Sequence, residues 1–290
     1  MDHEQVVVKR QSQLKETLRR LFKNKLSVAG LVIILILVFV AVFADWLMPY
    51  DYAQQDYKSM FLSPGSPGHI LGTDDVGRDI LSRLIYGSRL SLQMGFFAVA
   101  ISAVLGDLLG AIAGYFGGVV DDIIMRFLDI YQAVPTLVLC IALAAVLGAG
   151  LENAIIAIGI ANAPWHARLI RGSIMQVRDS EYVEAARAIN AGSRRIILRH
   201  ILPNILAPTI VQITMDLGNA ILNAATLSFI GLGAQVPLPE WGAMLSAGRE
   251  YMRDYGYMVL LPGICIILTV LSLNLLGDGL RDALDPRLKD

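Results

Sequence analysis

Six stretches of this chain are apolar over lengths that suit a bilayer crossing, and they decide most of what it can fold into. They cover residues 27–48, 90–116, 123–147, 153–174, 203–232 and 257–276. At 1.5 Å of rise per residue, about 20 residues cross a hydrocarbon core of about 30 Å. Inside lipid the backbone must satisfy its own N–H and C=O groups, so each run is expected to be a helix. Composition agrees: 55% of residues are hydrophobic, only 17% are charged, and the mean hydropathy is +0.58. The expected fold is therefore an all-α, polytopic membrane protein with six transmembrane helices.

The charges say how those helices are oriented. Residues 1–25 hold Lys9, Arg10, Lys15, Arg19, Arg20, Lys23 and Lys25, and 11–22 fits an amphipathic helix with Leu14, Leu18 and Leu21 on one face. A cleaved signal is a poor reading of the first apolar run. Its core would be about 7–15 residues and end in an A-x-A site, whereas 27–48 is longer and has no such site. Seven arginines fall between Arg168 and Arg199. Six crossings put both termini and this second basic block on one side, which positive residues mark as cytoplasmic. The net charge of −1 points to no partner, nucleic acid included. Cys140 and Cys265 each stand alone in an apolar run and read as small buried hydrophobes.

Between the fourth and fifth runs lies a charged interval, 179–204: DSEYVEAARAINAGSRRIILRHILPN. Ser180 is a candidate N-cap, Glu181 suits the first turn, and Gly192 is a candidate stop in the left-handed conformation. Ala185 and Ala186 let another surface come close, and a second short helix is expected to carry Arg194, Arg195 and Arg199 until Leu202-Pro203. The order Glu184-Ala185-Ala186, then Gly192, then Ile201-Leu202-Pro203 resembles the EAA loop of binding-protein-dependent ABC importer permeases. A second stretch, Leu71 to Leu92, reads LGTDDVGRDILSRLIYGSRLSL and is similar to the C-type permease subunit of the peptide/nickel importers. Gly72, Thr73, Asp74, Gly77, Arg78 and Asp79 carry that signature. Phe229-Ile230-Gly231-Leu232-Gly233, Pro239-Glu240-Trp241-Gly242 and the tail from Gly277 resemble the same subunits.

The resemblance implies a type I ABC importer permease with four partners: a homologous B-type permease, two ATPase subunits and an extracytoplasmic binding protein. The EAA loop, with Glu181, Glu184, Ala185, Ala186, Gly192, Arg195, Leu202 and Pro203, would dock on an ATPase. It also implies the inner membrane of a bacterium, and peptides as cargo, with nickel complexes, glutathione or other small solutes still open. The organisation expected is a cytoplasmic tail over 1–25, a first span and extracytoplasmic loop over 26–88, a permease core over 89–281 and a tail over 282–290.

Other residues bear on mechanism without that likeness. No phosphate-binding Gly-x-x-x-x-Gly-Lys-[Ser/Thr], no G-x-S-x-G and no H-E-x-x-H occurs. The chain is expected to be no enzyme and to need no cofactor or metal. Asp74-Asp75 and His166 lack spacing that would suggest acid–base or metal chemistry. Residues 80, 81, 84 and 85 predict a short surface helix, Gly106-x-x-x-Gly110-x-x-x-Gly114 a close helix contact, Pro135 a kink, and Arg126 with Asp129 a local ion pair. Thr209, Gln212, Asp216, Asn219, Asn223 and Thr226 recur at helical spacing and share one face. A mid-span Asp facing lipid would cost roughly 2.5–3.5 kcal/mol, so the stripe faces protein or water. It is either polar glue between helices or a lining of the pathway. A self-sufficient secondary transporter, using Asp107, Asp129 and Asp216 for ion coupling, is the rival reading.

Overall fold

A computed structural model describes residues 13–284, and among these there is no strand, only helices and two isolated bridges. Lys9, Arg10, the side chains of Leu14 and Lys15, and residues 285–290 lie outside the described residues. The helices are α1 (Gln13–Lys23), α2 (Lys25–Val42), α3 (Ala44–Leu47), α4 (Ile80–Phe116), α5 (Gly118–Gln132), α6 (Thr136–Leu147) and α7 (Leu151–Arg178), followed by α8 (Glu181–Ala188), α9 (Ser193–Ile196), α10 (Leu202–Phe229), α11 (Trp241–Gly248) and α12 (Tyr257–Leu284). Polar side chains mark several starts. Asn24 Oδ1 accepts from the Leu26 and Ser27 amides and begins α2, and the carboxylates of Asp79 and Glu240 begin α4 and α11 in the same way.

Four helical rods have the length and hydropathy to cross a membrane unaided: 25–42, 80–116, 193–229 and 257–284. The pair α5 and α6 adds a fifth if its 85° bend is one broken span. The remaining run, 153–174, is helical within α7 but stands outside that group. Asn153, Asn162, His166, Arg168 and Arg171 dilute it, and Ala154, Ile158, Ala161, Ala167 and Ile170 of its apolar residues are buried against protein.

Three expectations are corrected. The segment 80–86 is no separate surface helix; it is the first two turns of the 37-residue α4. Pro135 does not kink one helix but separates two, occupying the N-cap of α6 after α5 has ended at Gln132. Asp129 does not pair with Arg126; its carboxylate takes a 2.6 Å bond from Arg168 of α7 instead. In α1, Leu21 is buried beside Gly279, while Leu18, expected on the same face, is half exposed.

The Gly106, Gly110 and Gly114 stripe of α4 lies against the backbone of α7, where added Cβ atoms would meet Ala163, Ala167 and Arg171. The core divides into three clusters along α4. Ile80 and Leu84 pack with Trp241, Met244 and Met258 at one end. Met94 and Ala98 pack with Ile158, Ala220 and Leu227 in the middle. Ala111 and Tyr115 pack against Ile170, Ile174, Val183, Ile196 and Ile201 at the other end. The polar segments sort accordingly. The Gly150 amide bonds the Leu232 carbonyl and Tyr257 reaches residues 62 and 73 at the first end, while 179–201 gathers at the second.

Candidate functional site

At the second end, α8 presents two faces. Val183 and Ala186 are buried in the Ile170, Ile174, Ile196 and Ile201 cluster. Eight residues make no stable helix alone; burying Val183 contributes roughly 1.5–3 kcal/mol and holds α8 in place. The other face leaves Glu181, Glu184 and Ala185 exposed, beside exposed Tyr182 and Ile189. Gly192, Arg194, Arg195, Leu202 and Pro203 are exposed as well, so the segment is a polar and apolar surface with no cover among the described residues.

Local geometry corrects two assignments here. Ser180 holds the N-cap position, but its hydroxyl donates to the Val177 carbonyl at 2.7 Å and caps nothing. Gly192 has φ −64° and starts α9; the left-handed residue is Asn190, with φ 59°. The Asn190 amide bonds Arg187 O and the Ala191 amide bonds Ala186 O, the two bonds of a Schellman stop. Asparagine tolerates that conformation because its short polar side chain bonds locally.

After Gly192 the chain does not break. α9 passes through a π-helical turn, Ile197–Ile201, into α10 as a single rod. Pro203 accounts for the wide turn. It has no N–H for the Arg199 carbonyl and its ring would crowd that oxygen, and a π turn relieves both. The same rod that begins in the exposed loop thus carries the polar stripe, roughly 35 Å from Ser193 to Asp216 at 1.5 Å per residue.

The stripe divides along its length. Thr209 is buried and donates to Ile205 O, and Thr226 donates to Leu222 O. Asp216, Asn219 and Asn223 line a cavity of about 240 Å³ with Ser102 of α4 and Asn162 and Trp165 of α7. Gln212 stands behind it, its Nε2 donating to Asp216 Oδ1 at 2.9 Å. Behind the same carboxylate, His166 is 1% exposed. Its Nε2 lies 3.1 Å from Asp216 Oδ2 and its Nδ1 3.5 Å from Asp107 Oδ1, both without hydrogen-bond angles. One imidazole therefore ties α4, α7 and α10 together. The spacing of the stripe alone does not assemble this group, although Asn162 and His166, four apart on α7, share a face as the stripe residues do.

The signature loop at the first end is built as a clamp. Asp74 accepts from the Arg78 amide at 2.9 Å and from Arg78 Nε at 2.6 Å, with Arg83 Nε 3.6 Å away. Asp79 takes Ser82 N, Ser82 Oγ and His69 Nδ1 within 2.9 Å. Thr73 accepts from the Leu62 amide, and the Tyr257 hydroxyl bridges the Leu62 and Thr73 carbonyls. Gly72 and Gly77 have φ of 80° and 77°, and a Cβ on either would strike the backbone of 56–64. Nearby, hydrogen bonds from the Ser59 hydroxyl and the Lys58 amide hold the exposed Asp56 carboxyl below its usual pKa. Asp74 and Asp79 are thus both engaged in holding the loop.

Known proteins share this outline. A family model described as "Binding-protein-dependent transport system inner membrane component" matches residues 106–290, and one described as "N-terminal TM domain of oligopeptide transport permease C" matches 12–64. The chain is 49% identical over 278 residues to the dipeptide transport system permease protein DppC of Alkalihalophilus pseudofirmus, covering 96% of this chain and 91% of that one. It is 46% identical over 285 residues to the di/tripeptide transport system permease protein DppC of Pseudomonas aeruginosa (96% and 94% covered). To the glutathione transport system permease protein GsiD of Pectobacterium atrosepticum it is 44% identical over 276 residues (95% and 91% covered). Among solved structures, the inward-facing MetNI methionine ABC transporter aligns with a TM-score of 0.58 at 19% identity, over 71% of this chain and 98% of that one, which shows a shared fold. From its apolar rods to its near full-length relatives, the chain belongs to the inner-membrane components of binding-protein-dependent transport systems.

Proposed function

We propose that this chain is the C-type permease subunit of an ATP-driven peptide importer in a bacterial inner membrane. Its cargo is di- or oligopeptides delivered by a binding protein. The observation that carries this reading is near full-length similarity to dipeptide and di/tripeptide permeases. A second cargo, glutathione, has its own support in the 44% identical glutathione permease, and glutathione is itself a peptide.

In this reading both termini and 179–204 are cytoplasmic, α7 is the fourth of six spans, and 26–88 and 89–281 are the first span with its outer loop and the permease core. A B-type permease sits beside this chain and two ATPases beneath it. Glu181, Glu184 and Ala185 meet an ATPase, while Gly192, Arg195, Leu202 and Pro203 shape the contact. The rod from Ser193 to Phe229 supports a lever: motion of the loop is carried to Asp216, Asn219 and Asn223, which line the pathway, with Gln212 holding Asp216. Closure of the ATPases then biases a bundle with two arrangements. The Gly72 to Asp79 clamp fixes the outer ends of the helices.

Proteoliposomes test the proposal. Four membrane and ATPase subunits, with ATP inside and binding protein outside, should accumulate labelled dialanine, and omission of ATP or of the binding protein should abolish uptake. Accumulation by this chain alone on an ion gradient would establish the secondary-transporter reading instead.

A further inference from the structure

The cavity wall has a chemical bias. Ser102 Oγ donates to Val99 O at 3.0 Å, Asn162 Nδ2 donates to Ile158 O at 2.9 Å, and Gln212 Nε2 donates to Asp216. The single hydrogen of Ser102 is spent within the wall, so its oxygen offers lone pairs to the space, while the side-chain amides of Asn162, Asn219 and Asn223 offer both donors and acceptors. The charge is biased in the same direction. Asp107 and Asp216 flank a single imidazole, two acidic groups against one basic group. The next cations on α7 cannot balance it, because Arg168 is engaged with Asp129 and Arg171 with Asp121. Trp165 adds an aromatic ring to the lining, and ring faces attract cations.

We propose that this cavity holds the protonated amino group of the cargo, with the Asp216 carboxylate facing the ammonium and Asn162 and Ser102 accepting its remaining hydrogens. An ammonium brings three donors and one positive charge, and the wall offers oxygen acceptors and one acidic group more than it has basic groups. A carboxylate or phosphate at the same place would lie against the Asp216 carboxylate. His166 and Gln212 position Asp216 from behind and do not touch the ligand. The proposal rests on the reading of this chain as the pathway subunit of a peptide importer.

The test uses the whole purified transporter without its binding protein, so that the binding protein's own selectivity does not enter. Cys140→Ala and Cys265→Ala remove the native thiols, Asn219→Cys places one in the cavity wall, and its rate of reaction with a small hydrophilic thiol reagent is measured. Dialanine at about ten times its dissociation constant should slow that reaction about tenfold. N-acetyl-dialanine, which lacks the ammonium, should leave it unchanged, and Asp216→Asn should remove the protection by dialanine. Equal protection by the two peptides, or none by either, overturns the amine site and leaves the pathway reading standing. A thiol at 219 that is inert in every nucleotide state overturns both. The comparison between peptides is made with Asp216 intact, so it decides even if Asp216→Asn fails to fold.

Discussion

Gly110 stands where one methyl group is too many, because a Cβ there would fall on the Ala167 carbonyl of the neighbouring helix. Gly110→Val should destabilise the protein by about 1–3 kcal/mol, the usual cost of overpacking. Gly172→Val, at a helical site with nothing within 4 Å, is the control. Thermal melting of the detergent-solubilised protein separates them, and equal melting would show that α4 and α7 are not in close contact at Gly110. Glu184 and Gly192 call for the opposite result. Glu184 is exposed and makes no ion pair with the described residues, and Gly192 has open space around it and an ordinary φ. Glu184→Lys and Gly192→Val should therefore leave melting unchanged while ATP-driven dialanine uptake falls at least about tenfold, as expected when one or two hydrogen bonds to a partner are missing. Wild-type uptake in both variants would take the loop out of the mechanism. The glycine stripe was legible from spacing alone, because three small residues four apart mark one face. The stop at Asn190 was not, because Gly192 two residues on is the stronger generic signal and only the backbone hydrogen bonds decide between them.

At the scale of helices, apolar length announced the rods, while what joins or ends them came from partners far away in sequence. Gly87 and Ser88 do not break α4, because Gly87 is pressed against Pro239 and Trp241 and Ser88 donates to its own helix. Arg126 and Asp129 satisfy a local spacing rule, but it is Arg168, 39 residues on, that bonds Asp129. The α5–α7 joint rests more heavily on Arg171, which donates to Asp121 from Nε and Nη2 at 2.5 and 2.6 Å. A double-mutant cycle with Arg171→Gln and Asp121→Asn should give a coupling of about 1–3 kcal/mol in melting experiments. Arg126→Gln should change stability by no more than about 0.5 kcal/mol. Additive effects of the Arg171 and Asp121 substitutions would mean that α5 is held to α7 by other means.

Across the whole molecule, one rod and one cluster connect the two regions where function is proposed. The rod from Ser193 to Phe229 begins in the exposed loop and lines the cavity between Asp216 and Asn223. The cluster of Ile170, Ile174, Val183 and Ile196 fastens α8 to α7, which carries Asn162 and His166 toward the same cavity. The exposed loop and the stripe could each be read from sequence, but their mechanical connection could not. The π turn at Ile197–Ile201 keeps the rod continuous through Pro203, where sequence rules predict a new start. The central claim is that the exposed face of α8 grips an ATPase inside the cell and passes its motion to the pathway. A photo-crosslinking side chain in place of Ala185, on the exposed face and clear of the Val183 contact, tests it in intact cells. The account predicts crosslinks to the ATPase whose yield changes when a hydrolysis-dead ATPase traps ATP, and none to the binding protein. Crosslinks to the binding protein, or an ATPase yield indifferent to trapped ATP, would contradict it.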